Sequence, residues 1–241
     1  MPSLRLESTT AILDLGGDEN RQSLAWLQEV NDLLDQVLAG EATALVTTGS
    51  GKFYSNGLDV AEADGPVELD PDYVRELQAV YARFLALPMP TAAAVNGHAF
   101  GGGALLAMAH DYRLMRTERG FFCFPEVNIG IAFTEGMAAL VQSKLSAAQA
   151  RDAMLTGRRF DGDQAAAAGL VDEAVPVEQL VERAVQLVSE NTPQHPDTLG
   201  AVKEIMYADA VKALALPHRP AGALAGWRAG RLPLGTDAAK P

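Results

Sequence analysis

Three consecutive glycines, Gly101-Gly102-Gly103, stand directly before an apolar run that begins at Ala104. Residues without Cβ let a backbone approach a ligand closely, and at the start of a helix they expose N–H groups where the macrodipole favours negative charge. The same three residues also suit a tight packing crossover. They lack the Lys-Ser/Thr ending of a P-loop and the spacing of a dinucleotide loop, which excludes both. A second glycine loop, Phe53-Tyr54-Ser55-Asn56-Gly57-Leu58-Asp59, follows another apolar run and could converge with the first; taken alone it is an ordinary turn. Glu126 comes after the apolar residues 121–124 and is expected at the end of that strand. Read alone, it also fits a first-turn helix position that complements the macrodipole. Glu135, nine residues later, either caps a helix start at Thr134-Glu135 or reaches the same pocket after a slight shift.

The elements that must carry these residues follow from hydrophobic periodicity. Residues 4–15 read as two short strands in a hairpin ahead of Gly16-Gly17-Asp18. Leu24, Leu27, Val30, Leu34 and Leu38 recur at helical spacing over 23–39, with Gly40 as the stop. A strand over 44–48 leads into the first glycine loop, which runs to Gly57. A helix over 72–87 ends at Pro88 and Pro90, a strand over 91–95 leads into the second loop, 96–103, and an apolar helix covers 104–109. Strands at 112–115 and 121–124 follow, then helices at 134–145, 147–156 and 163–168, a brief strand at 171–175 and helices at 177–190 and 197–216. The tail from Pro217, rich in Pro, Gly and Ala, is expected to be poorly ordered. Strands alternating with helices predict parallel βαβ units.

No linker composition divides the 241 residues, so one α/β folding unit is expected, with a core over 1–190 and a helical C-terminal segment and tail over 191–241. Nineteen Lys and Arg against thirty-one Asp and Glu give a net charge of −12, which disfavours nucleic acid as a partner and still allows one small anionic ligand. Apolar runs fall short of the roughly 20 residues of a membrane span, and residues 1–15 lack a signal-peptide pattern. A single cysteine, Cys123, reads as a buried structural thiol and fits a reducing cytoplasm. His98 and His110 read as hydrogen-bonded structural histidines, and no cluster has metal-ligand spacing.

Taken together, Ser55-Asn56-Gly57-Leu58-Asp59, Ala94-Val95-Asn96-Gly97, Gly101-Gly102-Gly103, Pro125-Glu126-Val127-Asn128-Ile129-Gly130 and Ala168-Gly169-Leu170-Val171 resemble the enoyl-CoA hydratase/isomerase (crotonase) superfamily in order and spacing. The resemblance implies a crotonase-like spiral of ββα units with a C-terminal helical region that builds trimers, often paired into hexamers. It also implies an acyl-CoA thioester as substrate, with no separate cofactor. The N–H groups of Leu58 and Gly102 map onto the family's oxyanion hole, and Glu126 onto its catalytic carboxylate. Asn56, Gly57, Gly101, Leu105, Phe133 and Glu135 map beside the substrate, and Arg21 onto a region where relatives meet the CoA phosphates; a solvated Arg21 is the alternative. Phe84, Met108 and Met137 read as core or acyl-pocket lining.

Hydratases carry a second Glu where this chain has Leu105, which points to isomerisation of 3-enoyl-CoA to 2-enoyl-CoA with one Glu as acid and base. His110-Asp111-Tyr112 and the run Met115–Gly120 are most similar to the plant peroxisomal Δ3,Δ2-enoyl-CoA isomerases. Dienoyl-CoA isomerases use an Asp at the place of Thr134, so Glu135 keeps hydratase or dienoyl isomerase chemistry open. A non-catalytic acyl-CoA or RNA binder is the third class, and the acidic balance counts against RNA.

Overall fold

The computed structural model describes residues 1–59 and 69–217. Its first elements, β1 (Ser3–Glu7) and β2 (Thr10–Asp14), pair antiparallel as the expected hairpin, and Ser8 takes the left-handed turn conformation between them (φ 55°). Ser23 caps α1 (Leu24–Ala39) by accepting from Trp26 N, and the helix buries Leu27, Val30, Leu34 and Val37 along one stripe. After β3 (Ala44–Thr48) the chain makes a second strand, β4 (Phe53–Ser55), and then α2 (Pro71–Ala86), whose N-cap Asp70 accepts from Asp72 N and Tyr73 N. The pattern repeats as β5 (Thr91–Val95), β6 (His98–Phe100), α3 (Gly102–Met108), and again as β7 (Tyr112–Arg116), β8 (Phe122–Cys123), α4 (Glu126–Ile129).

Each unit thus gives one strand to a large sheet, one to a small sheet, and a helix. The large sheet has the order β1-β2-β3-β5-β7-β9, with β9 at Glu173–Val175, and every pairing after the hairpin is parallel. The small sheet, β4-β6-β8, is parallel throughout. Between β8 and β9 run α5 (Glu135–Lys144), α6 (Ala147–Thr156) and α7 (Gly162–Ala167), and the chain continues through α8 (Val177–Glu190), α9 (Pro196–Met206) and α10 (Ala208–Leu214).

The inner strands β2, β3 and β5 are covered on both faces, which explains why they read as largely apolar runs, whereas the edge strand β1 is mostly exposed. Ile12, Val46, Ala92, Ala94 and Leu114 meet Leu180, Ala184 and Val188 of α8 on one side, and Ala11, Leu13, Leu45, Ala93 and Val95 join the main core on the other. Among the described residues no helix is long and apolar enough to cross a membrane.

Four expectations are corrected. The stretches 49–57 and 96–103 are not all loop, since each contains a three-residue strand of the small sheet. Such strands are too short to show alternation and are bounded by glycine on both sides. The strand expected over 171–175 is confined to Glu173–Val175. The helix expected over 197–216 is two, broken at Tyr207 (φ −105°, ψ 13°). Glu126 does not end a strand but opens the one-turn helix α4 after Pro125. The tail beyond 217 lies outside the described residues.

Candidate active site

Asn20 anchors the first glycine loop from beneath. Its side-chain amide donates to the carbonyls of Gly16 (3.0 Å) and Tyr54 (3.0 Å), and its own carbonyl accepts from Ser55 Oγ at 2.7 Å. Ser55 Oγ in turn accepts from Gly57 N at 3.2 Å. Gly57 has φ 86°, and a Cβ there would lie 2.6 Å from Phe100 O and 3.0 Å from Gly102 N, so only glycine lets the two loops touch.

That contact sets two peptide planes side by side. Gly57 C=O accepts from Gln22 N at 2.9 Å, and in a trans peptide this turns the N–H of Leu58 the opposite way. Gly101 C=O accepts from Leu105 N at 2.9 Å inside α3, and this likewise turns the N–H of Gly102 out of the first turn. Leu58 and Gly102 both line a cavity of about 360 Å³, and neither N–H donates to an acceptor among the described residues.

Glu126 enters the cavity from α4 and lies against Gly101, where a Cβ would sit 3.3 Å from Glu126 Oε1. Glu126 is 7% exposed and its Oε2 has no partner among the described residues. Phe100, Pro125, Ile129, Ile131 and Met137 share the cavity lining with it, and burial pushes its carboxyl up to about 7 against one opposing backbone hydrogen bond. The arrangement pairs a carboxyl able to exchange a proton near neutrality with two donors suited to developing negative charge.

The other sequence candidates divide. Arg21, Asn56, Gly57 and Gly101 line the cavity with Leu58, Gly102 and Glu126. Asn56 donates to Glu19 Oε2 at 3.3 Å, and Arg21 pairs with the same carboxylate at 2.6 Å. Three candidates lie outside the lining. Leu105 is fully buried in the main core, Phe133 is half-buried and packs edge-on against Phe124 (5.9 Å), and Glu135 is exposed at the first turn of α5. Thr134 caps that helix by accepting from Met137 N, and this orientation turns Glu135 outward while Met137 enters the cavity wall.

His110 is held as expected, with Nε2 3.0 Å from Thr47 Oγ1 and Nδ1 2.9 Å from Leu106 O. His98 is not: its Nδ1 has no partner among the described residues, and the ring instead stacks on Phe100 (5.0 Å, 18°) beside Phe53 and Phe121. Arg159, Tyr73, Tyr81 and Gln22 escaped the sequence reading. Arg159 lies in a polar stretch without a motif, and the two tyrosines fall on an apolar helical stripe. Gln22 is one of six consecutive polar residues, 18–23, before a helix, and no sequence signal marks it out; it is fully buried.

The family model described as enoyl-CoA hydratase/isomerase matches residues 17–218 of the chain. The chain belongs to the enoyl-CoA hydratase/isomerase family. Within this family it is 39% identical to enoyl-CoA delta isomerase 3 of Arabidopsis thaliana, over 71% of this chain and 76% of that protein. It is 37% identical to the peroxisomal enoyl-CoA delta isomerase 1 of the same plant, over 79% of this chain and 82% of the relative. A solved structure of a probable enoyl-CoA hydratase from Mycobacterium tuberculosis superposes with a TM-score of 0.80 at 26% identity, covering 95% of each chain. The two sheets and their helices are therefore the crotonase-type α/β spiral of this family.

Proposed function

We propose that this protein shifts the double bond of a 3-enoyl-CoA thioester into conjugation with its carbonyl. Glu126 removes a proton from C2, the C2–H pair of electrons passes into the dienolate, and the thioester oxygen carries the negative charge. The N–H groups of Leu58 and Gly102 hold that oxygen. The proton then returns from Glu126 to C4, the C3=C4 bond becomes C2=C3, and no oxidant or cofactor enters, CoA being part of the substrate. Each preorganised donor lowers such a barrier by on the order of 3–4 kcal/mol.

One observation carries the reading: Glu126, the sole carboxyl among the described lining residues and poised near 7, shares a largely apolar cavity with two unengaged backbone donors. The similarity to the Arabidopsis delta isomerases supports the same reaction. Hydration and dienoyl isomerisation call for a second carboxylate, and among the described lining residues Glu126 is the sole one. Arg21 and Arg159, both lining residues, suit the phosphate end of the thioester. The reading extends to assembly of copies through α9, where Val202, Ile205 and Met206 form an exposed apolar stripe.

The test is a product assay over 2- and 3-enoyl-CoAs of several chain lengths. Conversion of 3-enoyl to 2-enoyl product, lost on Glu126→Gln, is expected; rapid hydration of 2-enoyl-CoA, or unchanged turnover by Glu126→Gln, overturns the assignment.

A further inference from the structure

Gln22 is fully buried, and its polar groups are all engaged around the donor pair. Its backbone N donates to Gly57 O at 2.9 Å, which orients the peptide bearing the Leu58 N–H. Its side-chain Nε2 donates to Gly102 O at 2.9 Å, in the first turn of α3. Its Oε1 accepts from Tyr81 OH at 2.6 Å, and Tyr81 OH also lies 3.2 Å from Gly102 O. Its carbonyl accepts from Tyr73 OH at 2.8 Å, and that hydroxyl accepts from Asp59 N at 3.1 Å. One residue therefore holds both loops, with its main chain on one and its side chain on the other, and α2 braces it through two tyrosines.

The amide orientation is determined by its partners, because Gly102 C=O can only accept and so must face the nitrogen end. Burial pushes the Tyr81 hydroxyl well above its ordinary range, which keeps it a donor. Methionine has a similar length and would fill the space; it removes one partner from each side-chain bond, at a cost in stability, while Tyr81 OH keeps Gly102 O as its acceptor at 3.2 Å.

We propose that Gln22 is a positioning residue that sets the gap and relative orientation of the Leu58 and Gly102 N–H groups. This rests on the enolate-binding role assigned above to that pair. Misplacing reacting groups by about 1 Å can cost on the order of a hundredfold in rate, so loss of the Gln22 amide should act on the charged intermediate and spare ground-state binding.

The experiment compares wild type with Gln22→Met, using acetoacetyl-CoA as an enolate probe and butyryl-CoA as an uncharged-acyl control. Wild type is expected to bind the probe with a strong ultraviolet enolate band at neutral pH. Gln22→Met should need a pH about one unit higher for the same band, which is a tenfold loss of enolate stabilisation. Its butyryl-CoA affinity should stay within roughly threefold, and kcat on 3-enoyl-CoA should fall about ten- to a hundredfold with KM little changed. Unchanged enolate ionisation and kcat overturn the proposal, as does equal weakening of both ligands, the signature of a merely structural role. If Gln22→Met does not fold, Tyr81→Phe provides the second arm, with a smaller shift of the same sign expected and no shift counting against the proposal. An enolate band without isomerisation in wild type sinks only the functional reading, and the Gln22 comparison still decides; absence of the band in wild type overturns both.

Discussion

At the residue scale the proposed chemistry turns on what burial does to one carboxyl. Glu126 has a raised pKa because desolvation disfavours its charged form and outweighs the one backbone hydrogen bond that lowers it. A base must be ionised, so kcat/KM is expected to rise with pH through about 7 and level off above it, and a profile flat between pH 5.5 and 8 would contradict the role. Removing the base should lower kcat by on the order of a thousandfold, within the usual range for general acid–base groups. The same shift has a stability counterpart. Between the ordinary carboxyl value near 4.5 and about 7 the native state binds more protons than the unfolded chain, so this group's contribution to stability falls as pH rises through that window. Glu126→Gln should therefore be more stable than wild type at pH 8, by up to roughly 3 kcal/mol, with the advantage vanishing by pH 4; urea denaturation at both pH values checks it.

At the element scale the donors depend on the small sheet, whose short strands bring β4 and β6 close enough for glycine alone to fit between them and α3. A Cβ on Gly103 would meet Ser55 O at 2.2 Å, and on Gly57 would meet Phe100 O at 2.6 Å in a left-handed backbone. Gly103→Ala is expected to lose about 2 kcal/mol or more in urea denaturation, by overpacking. Gly57→Ala should combine a similar loss with a kcat decrease of at least tenfold, since the strain falls on the Leu58 peptide itself; wild-type kcat in that variant would refute the link. Neither strand was visible in the sequence, although both loops were. A two- or three-residue strand acquires its identity from the partner beside it, and periodicity needs more residues than that.

At the scale of the whole molecule the C-terminal helices brace the cavity from behind. Gly136 of α5 packs against Leu214 of α10, where a Cβ would come within 2.6 Å of Leu214 Cα, and the next residue, Met137, lines the cavity. Gln78 of α2 donates to Leu214 O at 2.9 Å. Lys203 of α9, 3% exposed, reaches Asp111 Oδ2 at 2.6 Å and Met89 O at 2.7 Å, while Asp111 is also held by Thr91. Asp111→Ala leaves that ammonium buried without its counter-charge and should cost about 3–5 kcal/mol, whereas Lys203→Met, which leaves Asp111 bonded to Thr91, should cost distinctly less. Equal losses in chemical denaturation would show that the pair is not what docks α9. On the opposite side of the same helix, Ile205→Asp is expected to shift sedimentation toward smaller species if α9 joins copies, and an unchanged sedimentation coefficient would remove α9 from the interface.

The strands of the large sheet, the longer helices and the two glycine loops around Gly57 and Gly101–Gly103 were legible in the sequence, because apolar periodicity and the absence of Cβ are local properties, whereas Glu126 was singled out by its place in the family's motif. The boundaries of β3, β5, α6 and α8 agree with that reading to the residue. Tertiary structure alone decided which polar side chains share a cavity. Glu135 lies nine residues after Glu126 and the sequence left open whether it also reaches the pocket, yet the cap at Thr134 turns it to solvent while the one-turn helix after Pro125 turns Glu126 inward. It also decided that Gln22, unremarkable before a helix, is the group that joins both loops, since a side chain's burial and partners depend on segments distant in the chain, here Gly57, Tyr73, Tyr81 and Gly102.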